Sequence, residues 1–269
     1  MSSNPATSAA RSAGNSTVVR FLARLGYAVN GLLHALIGVI AIEIAVGASA
    51  GQADQSGALT ALAGTPGGVF ILWTVFVGLT ALGLWLILNS FLTPPADKKK
   101  RVVHYLSEIG KGIAYLAVAV TTFTFARGGS SSSTGTSTQA SGTILAAPGG
   151  VFLVVLIGIL VFAIGVYFVI KGVTKRFTRD LAVPSGRAGK TTIAVGVFGY
   201  VAKGIVLCVV GILFCVAAAT LDPAKSSGLD GGLRTLGTLP FGTVILIAVG
   251  LGLIAYAIYS FVRARYAKL

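Results

Sequence analysis

Three times in an apolar setting a polar residue is followed by glycine: Asn30-Gly31, Lys111-Gly112 and Lys203-Gly204. Two of the three bring an ammonium group. Gathered around one axis, such side chains would form a site for an anion or an anionic lipid headgroup, as basic pockets between membrane helices do. A plainer use is snorkelling, in which each lysine lays its stem along hydrocarbon and holds its ammonium in interfacial water. The helical length from Lys111 to Arg127, about 24 Å, puts both ends of that segment at interfaces on this second reading. His34 and Glu43 are further ionisable side chains within apolar runs. Such groups are expensive at membrane depth and are functional candidates by default. Nine residues apart on a helix, however, the two point to opposite faces and make no proton relay. Glu43 falls near a helix end, within reach of water, and His34 reads as a hydrogen-bonded structural residue.

Other chemistries lack their residues. No Ser/His/Asp set falls within the apolar runs, no Cys/His cluster has metal-ligand spacing, and no phosphate-binding glycine loop ends in Lys-Ser/Thr. Cys208 and Cys215, seven residues apart, share a helix face at a separation of about 10 Å, beyond disulfide reach, and read as small packing residues. His34 near mid-span and His104 at an interface do not pair as axial haem ligands. The expectation is a protein that is not an enzyme and carries neither cofactor nor metal.

The elements that must position these residues follow from composition. Of 269 residues, 55% are hydrophobic and only 10% charged, with 36 glycines; soluble domains carry about a quarter charged residues. The apolar residues come in runs of about 20, the length that crosses a hydrocarbon core, at roughly 25–47, 68–92, 105–126, 149–173, 194–219 and 241–262. The net charge of +14 is distributed to match. Of the 21 Lys and Arg, 18 fall on the side of the termini and the even-numbered connections, and only Arg127, Lys225 and Arg234 on the other. By the positive-inside rule this is a multi-pass protein of the bacterial plasma (inner) membrane with N- and C-termini cytoplasmic. The basic excess is thus an orientation signal, and without interleaved aromatics it makes no stacking platform for nucleic acid. The first run, although followed by Ala48-Ser49-Ala50, is longer than a signal-peptide core and is expected to stay as the first helix.

Two sets of markers reveal a threefold internal repeat. Pro66, Pro148 and Pro240 each introduce an apolar helix, at spacings of 82 and 92; Gly31, Gly112 and Gly204 recur at 81 and 92. Nineteen residues after the prolines stand Trp85, Tyr167 and Tyr259, and small residues at Gly38, Ala119 and Gly211 suit close helix approach. In this register His34 matches Tyr115 and Leu207, and Glu43 matches Thr124 and Val216, so neither is a repeated group. The expected fold is all-α and integral to the membrane. Its six transmembrane helices form three parallel-orientation hairpin repeats, 18–93, 102–176 and 191–266, around a pseudo-threefold axis along the membrane normal, in one membrane domain. Residues 1–17 read as a disordered cytoplasmic tail, 93–101 as a basic cytoplasmic turn, and the Gly/Ser/Thr-rich 128–143 as a flexible outer loop.

The repeat resembles a bacterial membrane family catalogued as domain of unknown function 1206. Its members look like three tandem hairpins, with Gly-Tyr-x-x-Lys/Arg-Gly opening the first helix and Pro-x-Gly opening the second. Here the first motif reads Gly26-Tyr27-Ala28-Val29-Asn30-Gly31 and Gly199-Tyr200-Val201-Ala202-Lys203-Gly204. The middle copy, Ser107-Glu108-Ile109-Gly110-Lys111-Gly112, keeps only Lys-Gly. The resemblance spans about 20–266; it implies fold and membrane placement, and no activity.

Two functions fit. Helices nearly free of buried charge, abundant small residues and short connections suggest a non-catalytic accessory or scaffold protein. Its partners would be the lipid bilayer, anionic lipid at the cytoplasmic face and a membrane-protein complex. The alternative is a small-solute transporter or channel with a pathway between the three repeats. Such a pathway needs polar groups from several repeats at one depth. The six apolar runs do not supply them, which favours the scaffold; a continuous polar cavity would reverse the choice.

Overall fold

Apolar runs of this length can satisfy their backbone in lipid only as helices, and helices are what they form. The computed structural model describes residues 17–48, 51–92, 98–182 and 185–266. Among them nine α-helices follow one another: α1 Thr17–Ala45, α2 Gln55–Ala63, α3 Gly68–Leu92, α4 Lys98–Ala126, α5 Ser133–Leu145, α6 Gly150–Val173, α7 Gly186–Thr220, α8 Gly228–Gly237 and α9 Gly242–Tyr266. Six of these, α1, α3, α4, α6, α7 and α9, are long and apolar enough to cross a membrane. At their basic ends some outrun the apolar segments: α4 begins at Lys98 rather than 105, and α7 at Gly186 rather than 194. Of the expected tail and basic turn, residues 1–16 and 93–97 lie outside the described residues.

The described residues form two compact units, those of 17–29 with 62–130, and those of 30–61 with 131–266. In the first, α3 and α4 touch where Gly83 faces Gly112: a methyl on either would meet the other's carbonyl oxygen at 2.9 or 2.8 Å. Lipid provides no hydrophobic drive between helices, so close backbone approach at small residues supplies van der Waals contact instead. Toward the start of α3, Trp73 and Phe76 pack against Phe123 with ring centroids 5.7 and 5.1 Å away. Leu25 and Gly26 of α1 fit against Gly78 and Leu82 of α3.

In the second unit, α6 and α7 cross in the same way twice, at Gly165–Gly204 and at Gly158–Gly211. Cys208 and Cys215, both free thiols, are the small knobs set against Gly165 and Gly158. Helix α9 packs on α7, where Gly199 leaves room for the Tyr256 backbone, and on α1, through Gly250 against Gly38 and Ala257 against Gly31. One register runs through all these crossings. The residue seventeen places after each repeat proline (Gly83, Gly165 or Ala257) meets a repeated glycine of another helix (Gly112, Gly204 or Gly31). Each crossing therefore joins the second helix of one repeat to the first helix of the next, and α9 of the last repeat to α1 of the first. In the last repeat, α7 packs more extensively on α6 than on α9, its hairpin partner.

The main departure from expectation lies in the connections. Helix α8 lies along α7: a methyl on Gly232 would meet the Val210 side chain at 2.8 Å and the Val206 carbonyl oxygen at 3.7 Å. Val206 is about 21 Å from the Thr220 end of α7 at helical rise, whereas the other end of α8 brings Gly237 to Leu246, near the start of α9. The chain thus folds back from the end of α7 to its middle, and α8 returns toward the start of α9. Residues 128–143, expected as a flexible loop, carry most of α5 instead, capped by Ser132, whose Oγ accepts from the Gly135 N–H at 2.9 Å.

Irregular backbone at membrane depth survives only where it is hydrogen-bonded by protein. In the short helices and their connections, Ser, Thr and Asp residues make such bonds. The Ser133 N–H donates to Ser56 Oγ (2.9 Å) and the Ala53 N–H to Asp230 Oδ1 (2.7 Å). Ser137 Oγ donates to the Ser226 carbonyl (2.6 Å) and Thr134 Oγ1 to the Ser227 carbonyl (3.2 Å). Each short helix then ends in the same turn. The carbonyls of Thr65, Ala147 and Leu239 accept from the N–H of Gly68, Gly150 and Gly242, with the repeat proline second and a left-handed residue third: Gly67 (φ 78°), Gly149 (φ 74°) and Phe241 (φ 61°). This is a type II turn.

Candidate functional site

Within the second unit, the middles of α1, α7 and α9 and the first residues of the short helices enclose a cavity of about 330 Å³, within the range of small-molecule sites. Asn30, His34 and Ile37 line it from α1, Lys203, Val206 and Leu207 from α7, and Leu253 from α9. Asp54, Gln55, Ser133, Gly228 and Leu229 line it from the starts of α2, α5 and α8. All three repeats contribute, and three helix N-termini bring their partial positive charge to one space.

Lys203 dominates the floor. Its Nζ lies 4.4 Å from the centre of the Tyr256 ring and 5.3 Å from that of Phe168, a pair of cation–π contacts. Among the described residues no carboxylate stands within ion-pair distance of it; Glu108, Asp222 and Asp230 are taken by Lys111, Lys225 and Arg234. Asn30 Nδ2 donates to Ser260 Oγ at 3.3 Å, and Ser260 Oγ donates to the Tyr256 carbonyl at 2.8 Å. His34 Nδ1 is 2.8 Å from the Asn30 carbonyl oxygen, which can only accept, so Nδ1 carries the hydrogen. The imidazole also rests against the Tyr256 ring, centroids 4.7 Å apart.

Beneath the floor lies an aromatic plug. Phe177, Tyr200, Tyr256 and Tyr259 form a buried cluster with Leu181. Phe177 stacks on Tyr200 at 5.1 Å and meets Tyr259 edge-on, and the Tyr259 hydroxyl donates to the Phe177 carbonyl at 3.5 Å. The 3-10 turn Arg176–Asp180 that delivers Phe177 is held by the Ala182 N–H donating to the Tyr266 carbonyl at 2.9 Å.

At the helix starts the wall is acidic but satisfied. Asp54, 2% exposed, accepts at Oδ1 from Ser56 Oγ (2.6 Å) and the Gly57 N–H (3.0 Å), and its Oδ2 lies 3.3 Å from Thr134 Oγ1, whose one hydrogen is shared with the Ser227 carbonyl. Asp230 accepts from Arg234 Nε with both oxygens, at 3.1 and 2.9 Å, while Arg234 Nη2 reaches the Gly51 carbonyl at 3.1 Å.

Of the residues singled out in the sequence, Asn30, His34 and Lys203 meet at this cavity. Lys111, in the first unit, pairs with Glu108 at 2.7 Å and its side chain stays 55% exposed. Glu43 is exposed two residues before the end of α1. Pro66, Pro148 and Pro240 occupy the type II turns, and Gly31, Gly112 and Gly204 the helix crossings. Of the three repeated aromatics only Tyr259 is buried; Tyr167 is exposed and Trp85 half-buried. Asp54, Ser56, Thr134 and Asp230 were not expected, because they lie between the apolar runs and a span-length window averages them away. One signal pointed to them: Leu229, Leu233 and Leu236 recur at helical spacing around Asp230 and Arg234. The polar layer expected to be missing is present, supplied by the connections.

Comparison with known proteins adds kinship but no chemistry. No solved structure matches the chain. It is similar to a Bacillus subtilis (strain 168) protein named Uncharacterized protein YxxB, 30% identical over 256 residues, which are 92% of this chain and 91% of that relative. Sequence matches to the family described as Domain of Unknown Function (DUF1206) fall at 25–92, 107–175 and 198–267, one for each repeat, and the chain belongs to that family.

Proposed function

We propose that this is a non-catalytic membrane protein that holds and passes a small polar solute through the cavity its three repeats enclose. The observation that carries the reading is the lining: Asn30, His34 and Lys203 from long helices meet Asp54, Ser133 and Gly228 from short ones. Polar groups from several repeats around one space are what a solute pathway requires. Re-entrant helix starts facing that space are a recurring device of transporters. An aromatic plug on one side and hydrogen-bonded helix starts on the other suit an occluded site better than an open pore. The scaffold reading loses its main support, the absence of a polar layer.

The same reading sets the protein in the bacterial plasma membrane with both termini and the basic helix ends in the cytoplasm, on the 18-to-3 division of Lys and Arg. It relates the three repeats by a pseudo-threefold axis along the membrane normal, a relation supported by the common register of the glycine crossings. The test is solute flux. Purified protein in liposomes is challenged with glycerol, urea, sodium acetate and sodium phosphate, and volume change is followed by light scattering. Faster permeation of at least one solute than in protein-free liposomes is expected. Flux at the protein-free rate for all four, with a stoichiometric membrane-protein companion recovered from native membranes, would return the scaffold reading.

A further inference from the structure

We infer that the solute taken by this cavity is a small soluble anion, and that Lys203 is the group that binds its negative charge. The inference rests on the solute-pathway reading and adds a ligand class to it. An ammonium group inside a membrane-spanning helix is costly unless an opposite charge meets it. Lys203 has aromatic rings at 4.4 and 5.3 Å but, among the described residues, no carboxylate at ion-pair distance. Cation–π contact eases desolvation without neutralising the charge.

The one acid on the cavity wall, Asp54, stands outside ion-pair distance of Lys203, its oxygens directed to Ser56, the Gly57 N–H and the Thr134 hydroxyl. Asp230 is likewise engaged by Arg234 and the Ala53 N–H. What the cavity offers a guest is therefore one ammonium, the Asn30 amide, and the start of α8, where Ser227 makes no capping side-chain hydrogen bond and the helix dipole favours negative charge. The space of about 330 Å³ holds roughly ten waters by volume. A carboxylate or phosphate on a small solute fits it; a phospholipid with its chains does not.

The experiment reads anion binding separately from flux. Full-length protein in detergent is melted across a titration of sodium acetate and, separately, sodium phosphate, for wild type, Lys203→Gln, Lys203→Arg and Lys111→Gln. The expected result is a rise of several degrees in wild type, Lys203→Arg and Lys111→Gln, and none in Lys203→Gln, since a ligand that binds only the folded state raises its melting point. Should Lys203→Gln fail to fold, Asn30→Ala, which removes a donor at the same floor, must weaken the apparent affinity at least threefold. No rise in wild type, or an equal rise in Lys203→Gln, overturns the inference. Glycerol flux in liposomes without any anion response overturns it while leaving the pathway reading intact. Anion response without flux of any solute does the reverse. Phosphatidylglycerol retained through purification, with no response to soluble anions, overturns it in favour of a lipid headgroup.

Discussion

Lys203 and Lys111 occupy the same place in their repeats, yet their surroundings differ. Lys111 reaches out to Glu108 in a half-exposed pair, an arrangement worth about 0–1 kcal/mol. Lys203 turns toward Tyr256, Phe168 and the cavity. Replacing Lys111 by Ala is therefore expected to change unfolding free energy by less than about 0.5 kcal/mol. Replacing Lys203 by Met removes a half-buried charge that has no carboxylate partner among the described residues. The variant should be as stable as wild type or more so, by up to about 2 kcal/mol, while losing its response to anions. Chemical unfolding in mixed micelles measures both. A Lys203→Met variant destabilised by more than about 2 kcal/mol would mean that the ammonium is part of the scaffold, not of a binding site.

At the scale of elements, the turns that end α2, α5 and α8 contain an internal control. Two copies put glycine in the left-handed position, Gly67 and Gly149, and the third puts Phe241 there at φ 61°. An L side chain in that conformation costs roughly 1–2 kcal/mol, and the Phe241 ring, 84% exposed, gains little from the protein in return. Phe241→Gly should therefore stabilise the fold by about 1 kcal/mol, and Gly149→Ala should destabilise it by a similar amount. Nothing lies within 4 Å of a methyl at Gly149, so the second effect isolates the backbone. A null result for Gly149→Ala in thermal unfolding would remove the conformational argument. The helix crossings differ in kind: at Gly165 a methyl would meet the Cys208 nitrogen at 2.6 Å and the Gly204 carbonyl at 2.8 Å, and there space rather than φ demands glycine.

At the scale of the whole molecule, the basic residues make a prediction about sides. With Cys208 and Cys215 replaced by Ala, a cysteine at Ser130 should react with a membrane-impermeant maleimide in intact cells. One at Arg187 should react only after permeabilisation. Labelling of both from outside, or the opposite pattern, would overturn the cytoplasmic placement of the termini. That expectation of sides rests on summed charge at helix ends. The floor of the cavity was half legible: Asn30 and Lys203 stood out as repeated positions, whereas His34 was read as structural. Apart from the leucine spacing around Asp230, the wall at the helix starts was not legible, since Ser132, Thr134 and Ser137 belong to a stretch whose composition suits a linker equally well.

The sequence by itself determined the number of helices long and apolar enough to cross a membrane, the threefold period, and the positions where glycine and proline recur. Each of these depends on a local sum or spacing: hydropathy over the thickness of a bilayer, or the distance between like markers. Only the tertiary structure decided what fills the space between the crossings. Helices of 9, 13 and 10 residues, α2, α5 and α8, are too short and too polar to read as spans. Their depth comes from partners far along the chain, Ala53 with Asp230 and Ser56 with Ser133. Backbone that leaves water must find its hydrogen bonds in protein, and which segments meet to provide them is a property of the folded chain.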